Sequence, residues 1–161
     1  MLKKLFKDLD NWTQKTNKEL IKETLPTIKP FYIKVLGQTA LIESKIKLNL
    51  FSTMDMDMYS DCNYLVKKEL ERLLSKHKKF LDGFSNEIWM PKETEYELFY
   101  EGKVLKAYLA KAEYVLISKA LKAPEKNKNI IQEYLSKQPS ELFIKLAKKY
   151  KVDLKVFHNA K

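Results

Sequence analysis

The chain has 161 residues, of which 45% are apolar, and a formal net charge of +10. That length suits one domain with a real core, and apolar residues spread throughout exclude a disordered chain. The single cysteine, Cys62, excludes an internal disulfide and a cysteine-based zinc site.

No apolar run approaches the ~20 residues that span a bilayer, so no membrane partner is expected. Residues 1–8 lack a continuous apolar segment and a cleavage site, so no signal peptide is expected there. A reduced, cytoplasmic location follows as an expectation. The positive charge favours anionic partners: nucleic acid, nucleotide phosphates or an acidic protein.

Residues 2–23 read as an amphipathic helix. Leu2, Leu5, Phe6, Leu9 and Trp12 form its apolar stripe, with Lys and Asp between them. Pro26 and Pro30 break the chain. Residues 31–36 (Phe-Tyr-Ile-Lys-Val-Leu) are β-branched or aromatic enough for a strand, which Gly37 ends. Residues 38–44 read as a short helix whose N-terminus aims backbone N–H groups outward, a ready anion site.

Residues 52–59 (Ser-Thr-Met-Asp-Met-Asp-Met-Tyr) read as a strand with alternating faces. Met54, Met56 and Met58 point into an apolar layer. Asp55 and Asp57 share the other face, about 7 Å apart along the strand. Two such carboxylates repel and lose hydration, so they need a cation.

Residues 63–81 read as a helix capped by Ser60 or Asp61, with Val66, Leu70, Leu73, Leu74 and Phe80 inward. His77 falls on that stripe and reads as a buried, hydrogen-bonded histidine. Asp82-Gly83 reads as a turn, and residues 87–90 as a strand ended by Pro91. Residues 95–100 and 104–109 form a hairpin around Glu101-Gly102-Lys103.

Helices follow at 111–122, 125–137 and 140–150, the last capped by Pro139-Ser140, with a short structured tail over 152–157. Lys119 lies on the apolar stripe of the first of these. A lysine there either snorkels to water or pairs with buried negative charge. The order predicts an α+β fold: one domain over 1–161, with a mixed α/β core at 25–110 and packing helices at 1–24 and 111–161.

Paired carboxylates beside a glycine at a helix start are parts of a metal-assisted phosphoryl or nucleotidyl transfer site. Asp55 and Asp57 would hold Mg²⁺, which takes oxygen ligands and brings phosphates with it. Gly37 lets the backbone approach those phosphates, and Lys119 supplies positive charge.

Leu36-Gly37-Gln38-Thr39-Ala40-Leu41, followed by Ser52-Thr53-Met54-Asp55-Met56-Asp57, resembles the opening of the nucleotidyltransferase-fold superfamily. The nearer likeness is to its bacterial abortive-infection (AbiEii-type toxin) branch, and it spans roughly residues 31–137. Val115-Leu116-Ile117-Ser118-Lys119-Ala120 is similar to that branch's lysine-bearing helix. The resemblance implies a nucleotidyltransferase-like mixed sheet flanked by helices, Mg²⁺, and a nucleoside triphosphate whose nucleotide passes to RNA, protein or a small molecule. It also implies a toxin–antitoxin or phage-defence role, with an antitoxin protein or RNA as partner. Catalytic roles then fall on Asp55, Asp57 and Lys119, with metal on the two aspartates. Nucleotide contacts fall on Gly37, Gln38, Thr39 and Ser52.

The chain departs from that pattern at three points. Gln38 stands where the family prefers Gly or Ser. Lys126-Asn127 replaces a Lys-Asp pair. The third carboxylate is expected on residues 104–109, which offer only Lys106, or at Glu95 or Glu97 on the partner strand. Two alternatives remain open. One is a catalytically degenerate member that binds a partner protein or nucleic acid through its basic surface. The other leaves Asp55 and Asp57 solvated at a sheet rim, paired with lysines such as Lys119.

Overall fold

The structure, a computed structural model, describes residues 1–83 and 87–158. Residues 159–161 of the expected helical part lie outside the described residues. Among the described residues the fold is α+β, with six α-helices and a mixed four-stranded sheet.

Helix α1 (Leu2–Lys22) buries Leu2, Leu5, Phe6 and Leu9, as the stripe requires. It also buries Asp10, an acid that the apolar stripe gives no reason to place inside, at 3% exposure. The Asp10 carboxylate accepts from the backbone N–H groups of Lys103, Val104 and Leu105, which explains its position inside.

Strand β1 (Phe31–Val35) follows, then α2 (Gly37–Glu43). The expected aspartate strand is two short strands, β2 (Asp55–Met56) and β3 (Met58–Ser60), with Asp57 between them. The backbone changes sheets there. Met54 and Met56 carbonyls accept from Phe80 and Asp82 of the second sheet, whereas the Asp57 carbonyl accepts from Leu36 at the end of β1. Because the pairing starts only at Asp55, the three methionines do not share an apolar layer. Met56 is buried, Met58 is half-buried and Met54 is 64% exposed.

Helix α3 (Tyr64–Ser75) is capped by Asn63, whose side chain accepts from Val66 N–H; Ser60 and Asp61 do not cap it. The helix ends six residues before residue 81. Lys78 takes a left-handed φ of 56°, and the N–H of Lys79 returns to the Leu74 carbonyl. His77 is therefore exposed rather than buried on the stripe, and Phe80 belongs to a strand, β4 (Phe80–Leu81). Residues 88–90 form no strand. They are held instead through the Ile88 and Trp89 carbonyls, which accept from Tyr59 Oη at 2.6 Å and Ser118 Oγ at 2.5 Å.

The hairpin is β5 (Tyr96–Glu101) and β6 (Leu105–Ala110), with a bulge between Leu98 and Tyr100. The main sheet runs β3-β1-β6-β5, with β1 parallel to β6 and the outer pairs antiparallel. Phe31, Ile33 and Val35 lie beside Leu105, Ala107 and Leu109, so one face of the central pair is wholly apolar. The chain then forms α4 (Ala112–Lys122), α5 (Lys128–Ser136), α6 (Glu141–Lys149) and a 3₁₀ turn (Leu154–Phe157) that buries Phe157. Ser140 caps α6, as expected. β2 and β4 form a separate parallel pair at the β3 edge. No described helix is long and apolar enough to cross a membrane.

Candidate metal and nucleotide site

Three carboxylates, not two, converge at the strand that changes sheets. Asp55, Asp57 and Asp82 each place an oxygen so that all three lie within 4.8 Å of one another. β2 pairs with β4 in parallel, Asp55 opposite Phe80 and Met56 opposite Leu81, and that register carried one residue on sets Asp57 beside Asp82. Asp55, two residues before Asp57, brings its carboxylate to the same cluster. Neither residues 104–109 nor Glu95 and Glu97 supply the third acid: Glu95 is engaged with Lys111 at 2.6 Å, and Lys106 faces Glu101 at 3.6 Å.

Gly37 abuts this cluster. Its φ is +60°, a region costly for any side chain, and a Cβ there would overlap Asp57 Oδ2. The sequence placed Gly37 against phosphates; in the structure the group packed against it is the Asp57 carboxylate. Gly37→Ala should cost about 1–2 kcal/mol through the backbone alone, with the overlap added to that. It should also push the Asp57 carboxylate aside. Thermal unfolding together with Mg²⁺ titration checks both effects.

The electrostatics are those of an incomplete site. Asp57 is pushed up to about 7, first by burial, then by its hydrogen bond to Asp82 and the charges of Asp55 and Asp82; Lys119 opposes the shift. Two carboxylates hydrogen-bond only by sharing a proton, so the pair holds one in the absence of a cation. Asp57 Oδ1 is buried with no hydrogen-bond partner. A buried acceptor left unpaired is costly, and a hard cation is what an all-oxygen set accepts. The three carboxylates therefore fit a divalent cation.

Asp55 and Asp57 line a cleft of about 420 Å³, together with Gln38, Phe51, Ser52, Met54, Lys119, Lys126, Asn127 and Ile130; Asp82 stands behind them and lines a neighbouring hollow with Cys62 and Lys67. Lys119 is lowered by burial and by Lys126, against the pull of Asp57 and Asp55. Its Nζ stands 3.4 Å from Oδ1 of Asn127, itself buried and tied back to the Ala123 carbonyl. Lys119 is thus half-buried on a neutral amide oxygen, within the field of Asp57 and Asp55. Asn127 fixes the lysine without adding a charge of its own.

The remaining expected contacts separate into two groups. Gln38 and Ser52 line the cleft: Gln38 donates to the Phe51 carbonyl at 3.3 Å, and Ser52 Oγ accepts from Lys79 at 3.3 Å. Thr39 stands behind, its hydroxyl donating to the Asp55 carbonyl at 3.4 Å, so it supports the strand rather than facing the cleft. Helix α2 has seven residues, too short for much of a macrodipole, so positive charge in the cleft comes from Lys119 and Lys126.

Sequence reasoning missed Asp82, Lys126 and Phe51. Asp82 carried a faint signal: it follows an apolar pair, as Asp57 follows Met56. Comparison of the chain with family models, with characterised proteins and with solved structures gives no match.

Proposed function

We propose that this cleft binds a Mg²⁺–nucleoside triphosphate, that the mixed sheet is nucleotidyltransferase-like, and that the chain transfers a nucleotide to a hydroxyl-bearing acceptor. The observation that carries this reading is a cleft lined by Asp55, Asp57, Lys119 and Lys126, with Asp82 clustered against the two aspartates and a buried Asp57 oxygen lacking a partner. Asp55, Asp57 and Asp82 would hold the cation. When bound, Mg²⁺ screens the phosphate charge and stabilises the attacking and leaving oxygens.

The chain's own residues then act as follows. Lys119, fixed by Asn127, and Lys126 grip the phosphates and oppose the charge that grows on the leaving group. Gly37 keeps Asp57 in place from behind. Asp57 gives up the proton it shares with Asp82 when the site fills, and Asp55, on the cleft wall, accepts the proton of the acceptor hydroxyl. The new bond joins that oxygen to the α-phosphorus, and pyrophosphate departs.

Isothermal titration with Mg·ATP, Mg·GTP, Mg·CTP and Mg·UTP tests the reading. Wild type should bind at least one of them, and Asp55→Asn/Asp57→Asn should bind none. Equal binding by both proteins removes the proposal. Binding without pyrophosphate release, over a panel of RNA, protein and small-molecule acceptors, assigns the degenerate alternative.

A further inference from the structure

The geometry points to a nucleobase subsite in the same cleft, with Phe51 as its stacking platform; this rests on the nucleotide reading above. Phe51 is 89% exposed, and Met54, beside it in the cleft lining, is 64% exposed. Ile130 of α5 adds a third apolar side chain to a cleft that is otherwise charged or polar. A scattered exposed hydrophobe needs no explanation, but apolar side chains gathered in one concave site are what a ligand with an apolar part meets.

The platform is held in place. Gln38 Nε2 donates to the Phe51 carbonyl at 3.3 Å, and Lys79 Nζ donates to the Thr53 carbonyl and to Ser52 Oγ. Upstream, the Asn49 N–H donates to the Glu133 carboxylate at 3.1 Å, and Lys137 Nζ donates to the Lys47 carbonyl at 2.8 Å. Backbone fixed on both sides presents the ring to the cleft mouth. Among the described residues no aromatic ring or cation stacks on it.

The ligand that suits this arrangement has a flat apolar head and a polyanionic, cation-bound tail. The head lies on Phe51, between Met54 and Ile130, and the tail lies between the carboxylate cluster and Lys119 and Lys126. A nucleotide has that shape, and purines present the larger stacking face. Gln38, where a smaller residue was expected, thereby serves to brace the platform.

The test compares ATP with inorganic tripolyphosphate, both with Mg²⁺, on wild type, Phe51→Ala and Phe51→Trp. Phe51→Ala should lose about 10-fold or more in ATP affinity, the scale of a lost stacking ring, and nothing in tripolyphosphate affinity. The unchanged tripolyphosphate binding also shows that the variant is folded. Phe51→Trp should keep ATP affinity and show ATP-dependent quenching absent from wild type. Equal ATP affinity in wild type and Phe51→Ala, with tripolyphosphate still bound, overturns the subsite and leaves the triphosphate reading standing. If wild type binds neither ligand, both fall.

Discussion

Replacing Asp57 with asparagine is expected to raise the melting temperature of the metal-free protein above neutral pH and to erase its response to Mg²⁺. In wild type this carboxyl is pushed from 3.8 to about 7, by burial first and then by its two acidic neighbours. A group whose folded pKa is raised binds more protons folded than unfolded between those two values. Stability therefore falls as pH rises through that window, and the loss is complete above about 7. Asparagine keeps the shape and removes the charge, so the variant escapes the loss. It does leave Lys119 with one fewer negative neighbour, and the contact to Asn127 limits that cost.

Magnesium acts in the opposite sense on wild type, because it binds the deprotonated cluster and must displace the shared proton. At a concentration 100-fold above its dissociation constant a ligand adds about 2.7 kcal/mol. For a chain of this length that is a rise of roughly 5–10 °C. The rise should be largest at pH 8 and small at pH 5.5. Asp82→Asn should lose the same response, which separates a three-carboxylate site from the pair alone. Differential scanning calorimetry at both pH values, with and without Mg²⁺, decides the matter. A full magnesium shift retained in Asp57→Asn would mean that the cation sits elsewhere.

Most of the fold is legible in the sequence because its elements carry clean periodicity. α1, the hairpin and α4 lie within two residues of where their stripes and turns put them. The largest miss, the end of α3, has a physical reason. The left-handed residue that stops the helix is Lys78, with no glycine to mark it, and an apolar stripe runs on through Phe80. That one error hid the cluster's third carboxylate. With Phe80 and Leu81 assigned to the helix, Asp82 became the start of a turn, and the search for an acid moved to a hairpin that has none to give. Phe51 was invisible for another reason: a single aromatic in a polar connection carries no pattern, and only tertiary placement brings it to the cleft.

Asp10→Ala should destabilise the fold as strongly as truncating a large core side chain. The Asp10 carboxylate accepts from Val104 N–H at 2.8 Å, Leu105 N–H at 2.9 Å and Lys103 N–H at 3.2 Å, and Gln14 Nε2 adds a fourth bond at 2.7 Å. Removing it strands those N–H groups in or near the core, at a cost of roughly 3–5 kcal/mol. Unfolding should then begin about 10 °C lower, or more. Asp10→Asn should fall between, since the amide keeps one acceptor oxygen but turns an NH₂ toward Lys103 or Gln14. Gly102 provides an independent check. A methyl group at Gly102 would collide with the Asp10 carboxylate, and no positive φ demands glycine there. Gly102→Ala should therefore be costly in wild type and much less so when Asp10 is already alanine. Urea denaturation of the four proteins in this cycle measures the coupling. Additive costs, or a loss below 1 kcal/mol for Asp10→Ala, would show that the turn holds itself and that α1 does not clamp the start of β6. Coupled costs would place the anchor of the β1–β6 pair at the end opposite Gly37, so that weakening the clamp also loosens the strand that positions the carboxylates.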